Sequence, residues 1–436
     1  MSGDLLRSAT GKAARRLVWF LVLLYFFAVL DRVNVGVAGL TMRRDLGLSA
    51  HAFGFGAGIF FLGYLILEIP SNLMLERFGA RVWLARIVVT WGLVSMATAL
   101  AVGPRSFAGL RVLLGVAEAG FFPGILFYIT VWFPAAQRAR INALFFLGVP
   151  LSNAVAAALS SLLLGLDGAL GLAGWQWLFI LEGAPPVLLG FLVLRLLPSR
   201  PAHAAWLTTG ERDALGAALA QEQRDMAGRM TLREALLNPA MWLLGAAYFG
   251  INVSLTALGL WLPQVVASVG RFTPLRAGLV SAGVLLPGAL AMFLWSRHSD
   301  RTRERVMHAT FAALAGGAGW LLYAVAAGPA ARLGLLAVAA AGTYAAVSVF
   351  WTYPAALLSG RAAAGGIALI GSIGNLGGFV GPWAIGALRD RTGSFAAGFV
   401  LVGLMMAAAA CMLWRLGRGV FGAAPAIAAP AGAPHG

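Results

Sequence analysis

The chain has little charge and almost no lysine. Of its 436 residues, 11% are charged and 60% hydrophobic. Soluble domains carry roughly 25% charged residues, so this is the composition of a membrane protein. The single lysine, Lys12, precedes the first apolar run. A phosphate-loop lysine or a Schiff-base lysine in a pocket is therefore excluded. That removes ATP-driven pumps with the motor in the same chain, and retinal proteins. The single cysteine, Cys411, excludes an internal disulfide and a cysteine-based metal site. The five histidines (His51, His203, His298, His308, His435) lack ligand spacing. No metal and no cofactor is expected. The net charge of +16 does not indicate nucleic acid, because no basic run is interleaved with aromatics on a soluble domain.

Apolar segments recur at 17–39, 52–75, 82–101, 106–131, 140–163, 177–197, 239–268, 275–296, 306–327, 333–357, 362–388 and 394–416. Each approaches or exceeds the span of about 20 residues that crosses a bilayer. The pattern predicts an all-α membrane protein of twelve transmembrane helices in two pseudo-symmetric six-helix bundles. Residues 1–197 form the first bundle and 239–416 the second. The polar stretch 198–238, with Glu211, Arg212, Asp213, Glu222, Arg224, Asp225, Arg229, Arg233 and Glu234, is the linker. The tail 417–436 is rich in Gly, Ala and Pro and is expected to be disordered. The basic N-terminus leads into an apolar run longer than a signal-peptide core, with no cleavage site after it. It reads as an uncleaved first span.

Basic residues set the orientation. With the N-terminus inside, 22 of the 32 fall in inner loops and termini, 8 fall outside, and Arg32 and Arg111 lie in spans. This excess places both termini and the linker in the cytoplasm.

Asp31, Arg32, Arg111 and Glu118 are the informative residues, because a charge in hydrocarbon costs at least about 2.5–3.5 kcal/mol. Such residues line cavities, pair with each other, or move ions and solutes. At about 1.5 Å per helical residue, Asp31 and Arg32 lie about 10–12 Å and Arg111 about 8–9 Å below the outer ends of their helices, a level they can share, while Glu118 comes near the midplane and Tyr64, about 18 Å from the outer end, to a similar depth. Adjacent residues diverge on a helix. Asp31 is therefore expected to face the fourth helix and Arg111, and Arg32 the cavity. Arginine stays charged and offers a planar fork matching a carboxylate. A buried carboxylate beside it would take or lose a proton according to whether the arginine is engaged, which couples anion to proton. The other reading of the four charges is a fixed lock between two helices.

The second half offers only polar or aromatic candidates: Asn252, Trp351, Thr352, Tyr353, Ser372 and Asn375. Asn375 is expected to meet substrate; Trp351 and Tyr353 would offer faces to a flat one. Gly54 and Gly58, Gly120 and Gly124, and Gly377 and Gly381 are spaced for close helix packing. Glu68 is a candidate for the inner gate, and Glu182 has no assignment. The inner loops 72–81 and 296–305 echo each other, each placing an acid before an arginine. Glu76, Arg77, Arg81, Asp300 and Arg301 are expected to form a cytoplasmic latch that breaks on opening, or to be simple topology anchors.

The segment Ser71-Asn-Leu-Met-Leu-Glu76-Arg77-Phe-Gly79-Ala-Arg81 resembles the loop 2–3 signature of the major facilitator superfamily, with Ser71 for the usual Gly and Glu76 for Asp. LDRVNVGVA (30–38), FFLGYLILEIPSNL (60–73), RVLLGVAEAGFFPG (111–124) and SIGNLGGFVGPWAIGALRDRTGS (372–394) resemble its anion:cation symporter family. The resemblance implies alternating-access uptake of an organic anion, such as tartrate, a sugar acid, phthalate or hydroxyphenylacetate, usually with protons. It implies that Arg32 meets the substrate carboxylate and that Asp31 and Glu118 exchange protons. It also implies a bacterial inner membrane protein, expected to work as a monomer in the lipid bilayer. Proton-driven export of an anion or drug-like compound is the rival within transport. A non-transporting membrane sensor is the rival from another class. No nucleophile–base pair points to an enzyme.

Overall fold

The computed structural model describes residues 2–225, 237–357 and 361–420. In it, eleven helical stretches are long and apolar enough to cross a membrane. The first half supplies α1 (Trp19–Asp45), α2 (Ala50–Phe78), α3 (Ala80–Ala97), α4 (Pro104–Trp132), α5 (Ala135–Leu163) and α6 (Gly174–Leu196). The second supplies α7 (Pro239–Leu260), α8 (Pro274–Thr302), α9 (Val306–Tyr323), α10 (Pro329–Phe350), α11 (Arg361–Thr392) and α12 (Ala396–Val420). The twelfth crossing is α5, a helix of 29 residues.

Neighbour relations repeat with an offset of six helices. In the first half α3 packs on α6, α2 on α4, and α1 on α5 and α6. In the second α9 packs on α12, α8 on α10, and α7 on α11 and α12. The halves meet through α2 against α11 and α5 against α8. Each half thus buries its own apolar faces and leaves a seam between the two.

Small residues set the seam. A Cβ at Gly54 would strike the Pro382 carbonyl, and one at Gly58 would lie 2.8 Å from the Phe379 carbonyl. The glycine pairs foreseen for close packing therefore carry helix contact. At the loop end of α2, Asp390 of α11 accepts hydrogen bonds from the Ala50 and His51 amides at 3.0 and 2.7 Å. These two N–H groups have no partner inside a helix's first turn, and a carboxylate is favoured there. Nearby, Arg43 Nη1 of α1 donates to Gln264 Oε1 at 2.8 Å, again joining the halves.

Two polar pieces lie on the face that carries the termini. A leading helix, Ser2–Ala13, runs through a π-helical turn, Ala14–Val18, into α1. The linker contains a helix, Thr209–Asp225, held against it by Lys12–Glu211 at 2.7 Å and Ser8 Oγ to Glu211 at 2.7 Å. Arg138, before the middle of α5, pairs with Glu222 at 2.7 Å. The tail expected to be disordered from Gly417 instead continues α12 to Val420; 421–436 lie outside the described residues, as do Arg229, Arg233 and Glu234 of the linker.

Candidate functional site: a central cavity with arginines

The helix that carries Arg111 and Glu118 is broken just where they end. Its first part, Pro104–Glu118, stops at Ala119, and Phe121–Trp132 starts anew after Gly120. Gly120 has φ +83°, which side chains rarely adopt, and a Cβ there would lie 2.5 Å from Ser71 Oγ. Ser71 is one of the two residues that depart from the loop signature. Its hydroxyl also accepts from Trp83 Nε1 at 3.0 Å. Irregular backbone at membrane depth is tolerated where protein or a cavity satisfies it, and Glu118 stands at the freed helix end.

Between the halves lies a cavity of about 200 Å³. Arg32, Arg111, Tyr25 and Phe60 line it from the first half; Tyr248, Asn252, Tyr344 and Trp351 line it from the second. Arg32 Nη2 lies 2.5 Å from Glu118 Oε1, and its Nε donates to the same oxygen at 3.0 Å. Glu118 is fully buried, while the Arg32 side chain keeps 36% exposure. Arg32 also stands over the Phe60 and Tyr64 rings, at 5.6 and 5.5 Å. Arg111 is 2% exposed, and its guanidinium lies 5.0 Å from the Phe60 ring centre. Among the described residues its Nε and Nη1 have no hydrogen-bond partner.

Asp31 is near enough to Arg111 for the charges to act on each other, but forms no ion pair with it among the described residues. Its Oδ1 accepts from Ser95 Oγ of α3 and, at 3.3 Å, from Asn34 Nδ2. Ser95, a lone serine in an apolar helix, was not singled out from the sequence.

The second-half candidates divide. Trp351 lines the cavity, packed on Tyr248 at 5.0 Å between ring centres. Asn252 lines it too and donates to the Gly374 carbonyl at 2.6 Å. Asn375, Ser372, Thr352 and Tyr353 line no part of it. Thr352 Oγ1 bonds the Val349 carbonyl, and Tyr353 is fully buried against α12, its hydroxyl 3.3 Å from the Leu413 carbonyl. The reason is rotation: after Phe350 the helix breaks at Trp351, so successive side chains leave the cavity wall. Tyr64 supports Arg32 from behind and is not part of the lining.

The inner latch is not made in this conformation. Asp300 pairs with Arg305 of its own loop at 2.6 Å, and Arg77 lies over Phe78 at 5.6 Å. The Arg81 amide donates to Ser199 at 3.4 Å. Glu76 and Arg301 are exposed. Among the described residues no ion pair joins Glu76, Arg77 or Arg81 to the second half. Close contacts of α2 with α11 are made at Ala50, Gly54, Gly58 and Phe61, in the part of α2 away from the termini. Glu68, on the inner half of α2, lies within the field of Arg32 and pairs with none of the latch residues.

The sequence hid several wall residues. Tyr25 stands seven before Arg32, and Tyr248 four before Asn252, so each shares a helix face with a polar neighbour. Asn153 of α5 donates to the Tyr344 hydroxyl at 2.6 Å, a pair that spans the seam. Isolated polar groups in apolar spans were the available signal.

Residues 21–382 match the family model described as Major Facilitator Superfamily. A protein of Agrobacterium vitis provisionally named a tartrate transporter is 45% identical over 96% of this chain and 93% of its own. The quinolone resistance transporter of Acinetobacter baumannii is 41% identical over 92% of each chain. The inner membrane transport protein RhmT of Escherichia coli is 38% identical over 88% of this chain and 89% of its own. Among solved structures, a bacterial homologue of the human lysosomal transporter Spinster, inward-facing and occupied, aligns with a TM-score of 0.73 at 18% identity, covering 92% of this chain and 96% of that one. A D-xylose–proton symporter aligns at 0.72 with 16% identity, covering 92% and 98%. The twelve-helix arrangement, the repeated packing of its halves and these similarities lead to one conclusion: the chain is a multi-pass membrane transporter belonging to the major facilitator superfamily.

Proposed function

We propose that the protein carries a small organic carboxylate inward together with protons, by alternating exposure of the central cavity. The observation that carries this reading is Arg111: a buried guanidinium at the cavity wall with two N–H-bearing nitrogens unpartnered among the described residues. An unpaired buried cation is expensive, and the planar fork of a guanidinium matches a carboxylate. The size of the cavity and its aromatic walls favour a small, flat acid.

Arg32 and Glu118 supply the coupling. While Glu118 is ionised it holds Arg32. A proton on Glu118 weakens that pair and frees Arg32 for the incoming anion, so proton and anion favour each other's binding. Asp31 acts on Arg111 in the same sense. The anion then sits between two arginines, with Trp351, Tyr248 and Asn252 across from it. The energy source is the proton gradient, no cofactor takes part, and one chain forms the complete path. On this reading both termini lie in the cytoplasm of a bacterial inner membrane, and the contacts between the halves on the far side support an inward-open state.

The relative named for quinolone resistance supports a second reading, export of a flat aromatic acid through the same site. Flux in proteoliposomes separates the two. With the outside acidic, tartrate, a sugar acid or an aromatic acid should accumulate inside and carry protons with it. Accumulation only under the opposite gradient would establish export, and absence of flux for every acid would reject both.

A further inference from the structure

Asn153 and Tyr344 meet across the seam, and no transport step above uses them. Asn153 lies on α5 and Tyr344 on α10, so each half supplies one. Asn153 Nδ2 donates to the Tyr344 hydroxyl at 2.6 Å, and both residues line the central cavity. Tyr344 is 2% exposed, and a Cβ at Gly288 of α8 would lie 2.5 Å from its Cδ2. The ring is thus seated on its own half, with the hydroxyl at the seam. An asparagine in an apolar helix is costly unless it lines a cavity or finds a partner; Asn153 does both.

The pair is not saturated. The Tyr344 oxygen takes the Asn153 hydrogen and keeps its own, which has no acceptor among the described residues. Asn153 Oδ1 accepts no hydrogen bond among those residues and is not fully buried. One donor and one acceptor therefore stand side by side, joined through the Asn153 N–H. Turning the amide over exchanges the roles and leaves an N–H and a phenol lone pair instead. In both arrangements the pair offers one of each. A carboxylate, which only accepts, satisfies half of this, and a methylene satisfies none. A hydroxyl is donor and acceptor at one atom and satisfies both. Two other polar residues of the wall are tied to backbone carbonyls, Asn252 Nδ2 to that of Gly374 and Thr256 Oγ1 to that of Asn252.

We propose that Asn153 and Tyr344 are specificity-determining residues: together they receive a hydroxyl group of the transported acid and select hydroxylated acids over analogues that lack it. The inference rests on the proposed function in placing the carboxylate at the two arginines. One cavity of about 200 Å³ is lined by Arg32, Arg111, Asn153 and Tyr344, so a small acid can reach the arginines and the pair together. Because the pair draws on both halves, the hydroxyl also links the acid to α10 across the seam. An acid without it leaves a donor and an acceptor unsatisfied once water is excluded, which is how a polar pocket rejects an analogue lacking the group.

The test is calorimetric binding to the purified full-length protein of acids paired by their hydroxyls: tartrate with succinate, gluconate with hexanoate, and 4-hydroxybenzoate with benzoate. In at least one pair the hydroxylated acid should bind about tenfold tighter or more, the worth of one or two neutral hydrogen bonds. Tyr344→Phe removes only the hydroxyl, and Asn153→Leu replaces the amide by methyls. Each should bring that ratio to within about threefold of unity, and the double variant should lower it no further, since the two groups act as a unit. A helix tie with no part in recognition would change both members of a pair alike and leave the ratio where it was. That outcome overturns the proposal, as does a parent protein that binds acids without preferring the hydroxylated member of any pair. Should Tyr344→Phe not fold, Asn153→Leu reads the same ratio. Absence of binding by every acid rejects the carboxylate reading of the cavity and the proposal with it. An unchanged ratio rejects the proposal alone, so the two fail separately.

Discussion

Arg32 and Glu118 share one oxygen: Nη2 at 2.5 Å and Nε at 3.0 Å both reach Glu118 Oε1. Glu118 Oε2 is buried with no donor among the described residues. A proton arriving at Oε2 would neutralise the acid without first displacing the arginine. On this geometry Glu118→Gln should lower proton-driven accumulation at least about tenfold while substrate exchange persists, a coupling difference of roughly 1.4 kcal/mol or more. Accumulation and exchange measured on the same vesicles decide it. Equal loss of both would remove the coupling role.

Arg32→Ala should reduce uptake to background while the protein still purifies as a folded species. Glu118 can accept a proton in place of its lost partner, which avoids the roughly 3–5 kcal/mol of an uncompensated buried charge. Uptake assays beside gel filtration test this. Near-normal uptake would take Arg32 out of the site.

Arg111→Lys tests the fork. Lysine keeps the charge but is a point donor rather than a planar one. The KM for the anion should rise about tenfold, and Arg111→Gln should abolish binding. Thermal-shift titration with tartrate, sugar acids and aromatic acids measures both variants and also identifies the acid that binds best.

Gly54→Leu should bias the protein toward the conformation open on the loop side. The nearest atoms to a new Cβ at Gly54 all belong to the second half, on Pro382 and Trp261. The substitution therefore strains the seam and spares the packing of the first bundle. A cysteine at Thr256, which lines the cavity, placed in a Cys411→Ser background, should label faster with an impermeant maleimide from the side away from the termini. Unchanged labelling would show that α2 and α11 do not gate that side.

The linker helix should detach in acid. Lys12 first, then Ser8 and the Thr208 amide, hold the Glu211 carboxyl down at about 2 against an ordinary 4.5. A carboxyl held low in the folded state adds stability above its ordinary value and loses it as pH falls. Hydrogen exchange in Thr209–Asp225 should therefore rise between pH 4.5 and 2. In Glu211→Gln it should be raised at neutral pH and lack that acid step.

Period and length made the spans legible. Apolar runs of bilayer length have few alternatives, because backbone groups in lipid must be satisfied within a helix. The rarity of charge in hydrocarbon singled out Arg32, Arg111, Asp31 and Glu118 for the same reason. Partner choice was not legible. Arg32 reaches Glu118 eighty-six residues away and Asp31 reaches Ser95 sixty-four away, contacts fixed by how α1, α3 and α4 rotate against each other. The second-half wall was also hidden, since the break at Trp351 turns Thr352 and Tyr353 from the cavity while Tyr248 and Tyr344 enter it.

By itself, then, the amino-acid order determined that this chain crosses the membrane repeatedly, in two related halves, with ionised groups held at mid-depth. Helix rotation, the breaks at Gly120 and Trp351, and the seam of α2 on α11 decided which of those groups pair and which are left open. Hydropathy is a property of each segment alone, whereas pairing depends on angles between segments that no single segment encodes.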